Sequence, residues 1–249
     1  MRSAFSLVEL SIVLVILGLL TGGILAGQSL IRASELRAVT AEYQRYAAAV
    51  NTFRDKYFAL PGDMANAQNF WGVAHATPAT CVTTVGTGTQ TCNGDGNGRI
   101  DISAGSREPF RAWQHLANAG LIEGTYTGTV TLPTWPSSKI SNNSTWGMGN
   151  WNYTGSLYWF DGDYGNVLYN GANNAGTTIG NVNPSEAWNI DTKMDDGLPA
   201  QGKLWGGGWG SGMSTAGTFC TTAASSATLT ATYLLSNNNK DCMFVWRQQ

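Results

Sequence analysis

Charge is scarce in this chain of 249 residues: Asp, Glu, Lys and Arg make up 12%, about half of the quarter usual in soluble domains. The formal net charge of −2 removes the case for a nucleic-acid binder, which needs an extensive basic surface along its partner's phosphates. Histidine is down to two residues, His75 and His115, neither in an H-E-x-x-H arrangement, and the four cysteines form no C-x-x-C pair. A zinc site or a redox dithiol therefore has little support. No G-x-S-x-G elbow occurs. Residues 197–203 imitate the opening of a P-loop, but Leu204 stands where magnesium needs Ser or Thr. Asp161 and Asp163 lie too close together on one strand to flank a glycosidic bond. Proline is limited to 7 residues, and the 31 glycines follow no three-residue period, so collagen is excluded. The 10 tryptophans argue against general disorder. No catalysis is expected.

Much of the apolar excess lies in one place. Residues 5–31 contain a single charge, Glu9, and as a helix they measure about 40 Å, enough to cross a hydrocarbon core of about 30 Å. A secretory signal peptide is the plain alternative, with a cut near Ala26 or Gly27. Against it, only Arg2 precedes the apolar run and a carboxylate sits inside it. An acid in a membrane helix costs roughly 2.5–3.5 kcal/mol at the bilayer centre, so it normally has a partner and a task. Gly18 and Gly22 are four apart, as are Gly23 and Gly27. This is the small-xxx-small spacing that lets helices approach closely, although the same glycines would also be permitted weak points.

The run Ala4-Phe5-Ser6-Leu7-Val8-Glu9-Leu10-Ser11-Ile12-Val13 resembles the processing signal of type IV pilins and type II secretion pseudopilins. The resemblance implies that a prepilin peptidase removes residues 1–4 between Ala4 and Phe5 and that Phe5 becomes a methylated new terminus. It also implies that Glu9 is the family glutamate. Ala4 stands where the family usually has Gly, and the leader is short. Physically, the freed amine of Phe5 is a cation that Glu9 of an adjacent subunit would neutralise in a low-dielectric filament core, favouring addition of subunits in register.

Beyond the apolar run the pattern changes without a break. Leu36, Val39, Tyr43, Tyr46, Val50, Phe53 and Tyr57 recur at alternating spacings of three and four, an amphipathic stripe. Neither Pro nor Gly interrupts residues 28–60, and Pro61-Gly62-Asp63 ends the helix. A coiled coil is the alternative. The preferred arrangement lays the stripe against a sheet of the same chain, and the family resemblance implies the same rod-and-head architecture.

Residues 61–249 shift to Gly, Asn, Thr, Ser and Trp. The stretches 127–132, 156–160 and 166–169 read as strands between turns. Two helices are expected. One covers about 108–119, with Pro109 in its first turn, Phe110, Trp113 and Leu116 on one face, and Gly120 closing it. The other covers about 184–194, with Asn183 and Glu186 as a capping box. The fold class is α+β and pilin-like: a leader (1–4), a membrane and assembly helix (5–31), its amphipathic continuation (32–60), and a head with an antiparallel sheet and long loops (61–249).

Cys81, Cys92, Cys220 and Cys242 allow three pairings; proximity favours Cys81 with Cys92 and Cys220 with Cys242. The resemblance adds that a bridge like the second clips the C-terminal region of many pilins. Residues 93–101 resemble an EF-hand-like or GD-rich calcium loop. Asn93, Asp95, Asn97 and Asp101 offer side-chain oxygens, Arg99 a carbonyl, Gly98 the sharp turn, and Ile100 an anchor to the core. Position twelve is Ala104, and Glu108 lies too far along for the standard register; a plain Asn/Gly turn is the alternative. Asp191, Asp195 and Asp196 form a second, weaker acidic group that a cation or Lys193 would relieve, and the pair Asp161 and Asp163 is weaker still. The tryptophans of the head read mostly as packing, with sugar or protein contact as the other possibility.

The expected function is a structural pilin subunit. Its precursor would sit in the inner membrane and its product in an extracellular filament or a periplasmic pseudopilus. The expected partners are copies of itself, the prepilin peptidase, inner-membrane assembly machinery, and minor pilins or a surface ligand. The alternatives are a pseudopilin, a minor or tip adhesive pilin, and a membrane-anchored carbohydrate-binding ectodomain.

Overall fold

The computed structural model describes residues 7–102, 107–130, 134–141, 144–155, 160–172, 180–207, 219–223 and 225–248. Its elements run in the order α1 (Leu7–Tyr57), α2 (Gln68–Trp71), α3 (Pro78–Cys81), α4 (Glu108–Asn118), β1 (Ser144–Tyr153), β2 (Gly162–Ala172), α5 (Pro184–Met194), β3 (Leu204–Gly207) and β4 (Met243–Arg247). The four strands form one antiparallel sheet in the order β1-β2-β4-β3. This is the α+β, pilin-like layout of a long N-terminal helix set on a small antiparallel sheet.

The 51 residues of α1 make a rod of about 77 Å. Its apolar half is exposed along its length, whereas Val39, Tyr46, Val50 and Phe53 of the amphipathic stripe are buried, and Leu36, Tyr43 and Tyr57 pack against the same core. Phe58 ends the rod in the left-handed region (φ 53), just before the Pro61-Gly62-Asp63 turn.

Register explains the partner surface. Met148, Leu168, Trp246 and Leu204 lie side by side across all four strands. They form, with Trp146 and Phe244, the sheet face on which α1 and α4 pack. Tyr43 stacks on Trp246 with ring centroids 4.8 Å apart, while Tyr46 meets Trp146 and Trp113 edge-on at 5.5 and 5.0 Å. One charge is taken into this contact. Glu42, only 7% exposed, accepts from Ser138 Oγ (2.7 Å), Trp146 Nε1 (2.8 Å) and Lys139 N (3.1 Å), so its desolvation is offset by three donors. The other sheet face carries Trp151, Val167, Tyr169, Trp205 and Val245, and Phe160, Ala223 and Ala231 cover it.

The expected stripe and both expected head helices are present. α4 closes in a Schellman arrangement, with Gly120 (φ 72) donating to Ala117 O and Leu121 to Leu116 O. The capping box of Asn183 and Glu186 opens α5. The strand expectations fare unevenly. Residues 166–169 lie inside β2, and 156–159 fall outside the described residues. Residues 127–130 are no strand: Gly128 (φ 69) turns the chain, and Thr127 Oγ1 takes the N–H of Thr129 at 3.3 Å.

β1 is not apparent from the sequence because its glycines look like turn signals. Gly147 lies opposite Tyr169, and a side chain at that position would collide with the Tyr169 ring. The missing Cβ is thus a packing requirement within a strand.

Candidate functional site

The residues expected to drive assembly lie on the apolar half of α1. Ala4 and Phe5 lie outside the described residues. Glu9 is in the first turn of α1, and Gly18, Gly22, Gly23 and Gly27 follow on the unbroken helix. A side chain at any of these four glycines would meet nothing within 4 Å, so both small faces are open to a neighbouring helix. The hydroxyls of Ser11, Thr21 and Ser29 donate to carbonyls three or four residues back. They are therefore satisfied within the helix, as an apolar surrounding demands. The segment is long and apolar enough to cross a membrane, and none of its most apolar window is buried by the head.

A second candidate site sits where α1 gives way to the head. Gly94 donates to Met64 O and Gly96 to Asp63 O, which presses the 93–101 loop against the turn that ends α1. Asp63, Asp95 and Glu108 are thereby gathered, each offering a carboxylate oxygen within 4.8 Å of the others. Asp63 is 3% and Glu108 2% exposed. Backbone N–H groups orient both: Asp63 accepts from Asn97 and Gly98 at 2.9 Å each, and Glu108 from Asp101 at 2.7 Å and Asp95 at 3.3 Å. Burial pushes the Asp63 carboxyl up to about 6, with Asp95 adding to the shift and the Gly98 and Asn97 amides opposing it. Burial likewise pushes Glu108 up to about 7, and the charges of Asp95 and Asp63 add to it.

Of the set expected from the loop, Asp95 belongs to this carboxylate group. Asn97 links Asp95 to Asp101 through its amide at 2.9 and 3.0 Å, and its own oxygen takes the N–H of Arg99. Asn93 is not one of the converging carboxylates; its side-chain oxygen accepts from Gln68 N at the start of α2. Ile100 anchors the loop as expected, 2% exposed. Asp63 and Glu108 were missed as members. Asp63 reads locally as a helix-stop residue, and Glu108 lies outside the register of any single loop. The donor set is oxygen only, two of its three carboxylates are buried, and Asp95 and Glu108 line a cleft with Gln68 and Asn93. That chemistry fits a hard cation such as calcium.

The Asp191, Asp195 and Asp196 carboxylates also approach within 4.8 Å, and each accepts hydrogen bonds from the surrounding fold. Asp191 accepts from Tyr233 Oη (2.8 Å) and Gly197 N (3.2 Å), Asp195 from the amides of Lys203 and Leu204, and Asp196 from Leu198 N at 2.8 Å. Burial pushes Asp191 up to about 7, against the pull of Tyr233 and Gly197. Asp161 and Asp163 accept from the nearby turn amides of Gly155 and Gly165.

Both disulfides favoured by proximity are formed, Cys81–Cys92 and Cys220–Cys242, with Cα–Cα distances of 5.8 and 4.9 Å. His115 is fully buried on α4. Its Nδ1 accepts from Gly62 N, which leaves the ring proton on Nε2 facing Thr91 Oγ1 at 3.0 Å. Burial pushes it down to about 3, so it is a neutral packing residue. Trp146, Trp151 and Trp205 are buried, Trp135 is half-buried, and Trp188 is 44% exposed; Trp159 and Trp209 lie outside the described residues. No family model, curated protein or solved structure matches this chain.

Proposed function

We propose that the chain is a structural subunit of a type IV filament, a pilin whose N-terminal helix holds it in the inner membrane and then packs against copies of itself. One observation carries the reading: a single helix packs one face against its own head over residues 32–57 and is left bare over 7–31. Each large apolar side chain is worth about 1.5–3 kcal/mol on burial. A bare apolar rod therefore requires lipid before assembly and other subunits after it. The resemblance around Glu9 supplies the order of events: prepilin peptidase cuts between Ala4 and Phe5, and Glu9 then receives the new amine of the adjoining subunit. Inner-membrane assembly machinery would extract the subunit, and minor pilins or a surface ligand would meet the distal head.

Calcium belongs to the same reading as a stabiliser of the head, held by Asp63, Asp95 and Glu108, where it would neutralise three converging acids. The packed tryptophans favour a structural head over a sugar-binding ectodomain.

Two experiments test the assignment. Terminal sequencing of the mature protein should begin at methylated Phe5; a retained Met1 would overturn the pilin assignment. Glu9→Ala should leave the head's melting temperature unchanged while fibres recovered by shearing fall at least about tenfold, the loss expected when a buried charge pair is broken. Sheared-fibre mass spectrometry separates the variants of the reading. High abundance marks a major pilin, trace abundance a minor one, and retention in the periplasm a pseudopilin.

A further inference from the structure

Arg32 is the first charge after the apolar run, and the head closes around it. Its Nε and Nη2 bind the two oxygens of Glu186 at 2.5 and 2.7 Å, and Nη1 binds Glu35 at 2.9 Å. Its remaining N–H groups reach Ile140 O (3.0 Å) and Asn181 O (3.5 Å). One guanidinium thus ties the loop before β1, the segment before α5, and α5 itself to a single level of α1. That level is set by length. About 30 Å of hydrocarbon uses about 20 of the residues between Leu7 and Ile31, which leaves Arg32 in the headgroup layer and the base of the head directly above it.

Two lysines flank this base. Lys139 precedes Ile140 and is exposed. Lys240 is exposed and lies on the strip that packs against Gly180 and Asn181: the Lys240 carbonyl abuts Gly180, and Asn181 N donates to Cys242 O at 2.8 Å. The acids at the same level have partners: Glu35 and Glu186 pair with Arg32, the Lys240 charge also helps to hold the Glu186 carboxyl down, and Asp241 accepts from Asn237 Nδ2 at 2.8 Å. Among the described residues neither Lys139 nor Lys240 makes an ion pair. Lysine stems are long enough to carry their ammonium groups down to lipid phosphates, and charges within a Debye length of about 8 Å feel an anionic bilayer surface.

We infer that the base of the head is a binding surface for anionic phospholipid headgroups, with Lys139 and Lys240 as its contact cations and the Arg32 clamp setting its height. The inference rests on reading residues 7–31 as a membrane anchor. Contact of this kind keeps the unassembled subunit upright on the membrane, with its head lying on the lipid surface.

The test uses the full chain in nanodiscs of phosphatidylcholine alone or with phosphatidylglycerol. Lysines are labelled with a water-soluble acylating reagent and read by mass spectrometry, with Lys56 at the far end of α1 as internal reference. In anionic discs Lys139 and Lys240 should label about threefold more slowly relative to Lys56 than in neutral discs, and about 0.5 M salt should abolish the difference. Ratios that ignore lipid charge overturn the inference. Hydrogen exchange of residues 7–31 in the same discs separates the causes of failure. A protected helix with unchanged ratios overturns the lipid surface alone, whereas an unprotected helix overturns the anchor as well.

Discussion

Residues 7–31 and 32–57 belong to one unbroken helix, yet only the second stretch has a buried face. The difference lies in where the apolar side chains point. In the second half they recur at three and four, so one stripe meets Trp146, Trp246 and Trp113 while the other faces stay polar. In the first half they surround the helix, and the head covers none of its most apolar window. A rod that is apolar all round needs an apolar surrounding, whether a protein core, lipid or other apolar helices. One half therefore helps to hold the head together, and the other is left bare.

The largest expected effect would come from breaking the buried half. Trp246→Ala removes the ring that Tyr43 and Trp146 pack against and should lower stability by about 3–5 kcal/mol in urea unfolding of the head. Loss of about 1 kcal/mol or less would mean that the helix and sheet are not docked as described. Glu42→Ala leaves Ser138, Lys139 and Trp146 without their acceptor and should cost about 3 kcal/mol, whereas Glu9→Ala in the other half should cost the isolated head nothing.

A third prediction concerns pH. Asp63, Glu108 and Asp191 hold their protons to about 6, 7 and 7 in the folded chain, against about 4 when unfolded. Below about pH 4 both states are protonated, and these groups favour neither. Between about 4 and 7 the folded chain binds more protons, so stability falls as pH rises. In EDTA the head should therefore melt at a lower temperature at pH 8 than at pH 5, and calcium should restore it chiefly at pH 8. A melting temperature unmoved by calcium at pH 8 would remove the cation from the reading.

The smallest effect is expected at the boundary between the halves. Burial alone would raise the Glu186 carboxyl, but Arg32 and the Asn183 amide outweigh it and hold it below its ordinary value. The pair is only partly buried, so Arg32→Ala should cost about 1 kcal/mol. A cost near that of Trp246→Ala would mean that the clamp, rather than the aromatic stripe, holds the head to the helix.

The sequence by itself determined whatever depends on neighbours three or four residues apart. That covers the rod, the change in its pattern at Arg32, the Schellman end of α4 and the capping box of α5, because helix periodicity and caps are local physics. Cysteine proximity also sufficed for both bridges. The sheet was mostly illegible, because β1 and β3 use glycine where a ring from a neighbouring residue needs the space, and that ring belongs to a distant part of the chain. The carboxylate group was half legible for the same reason. Asp95 stands in a recognisable loop, but Asp63 and Glu108 arrive from a helix stop and a helix start, 32 and 13 residues away in sequence. Only the tertiary structure placed three acids together, since what unites them is the interlocked backbone of residues 62–64 and 94–98 and no pattern along the chain.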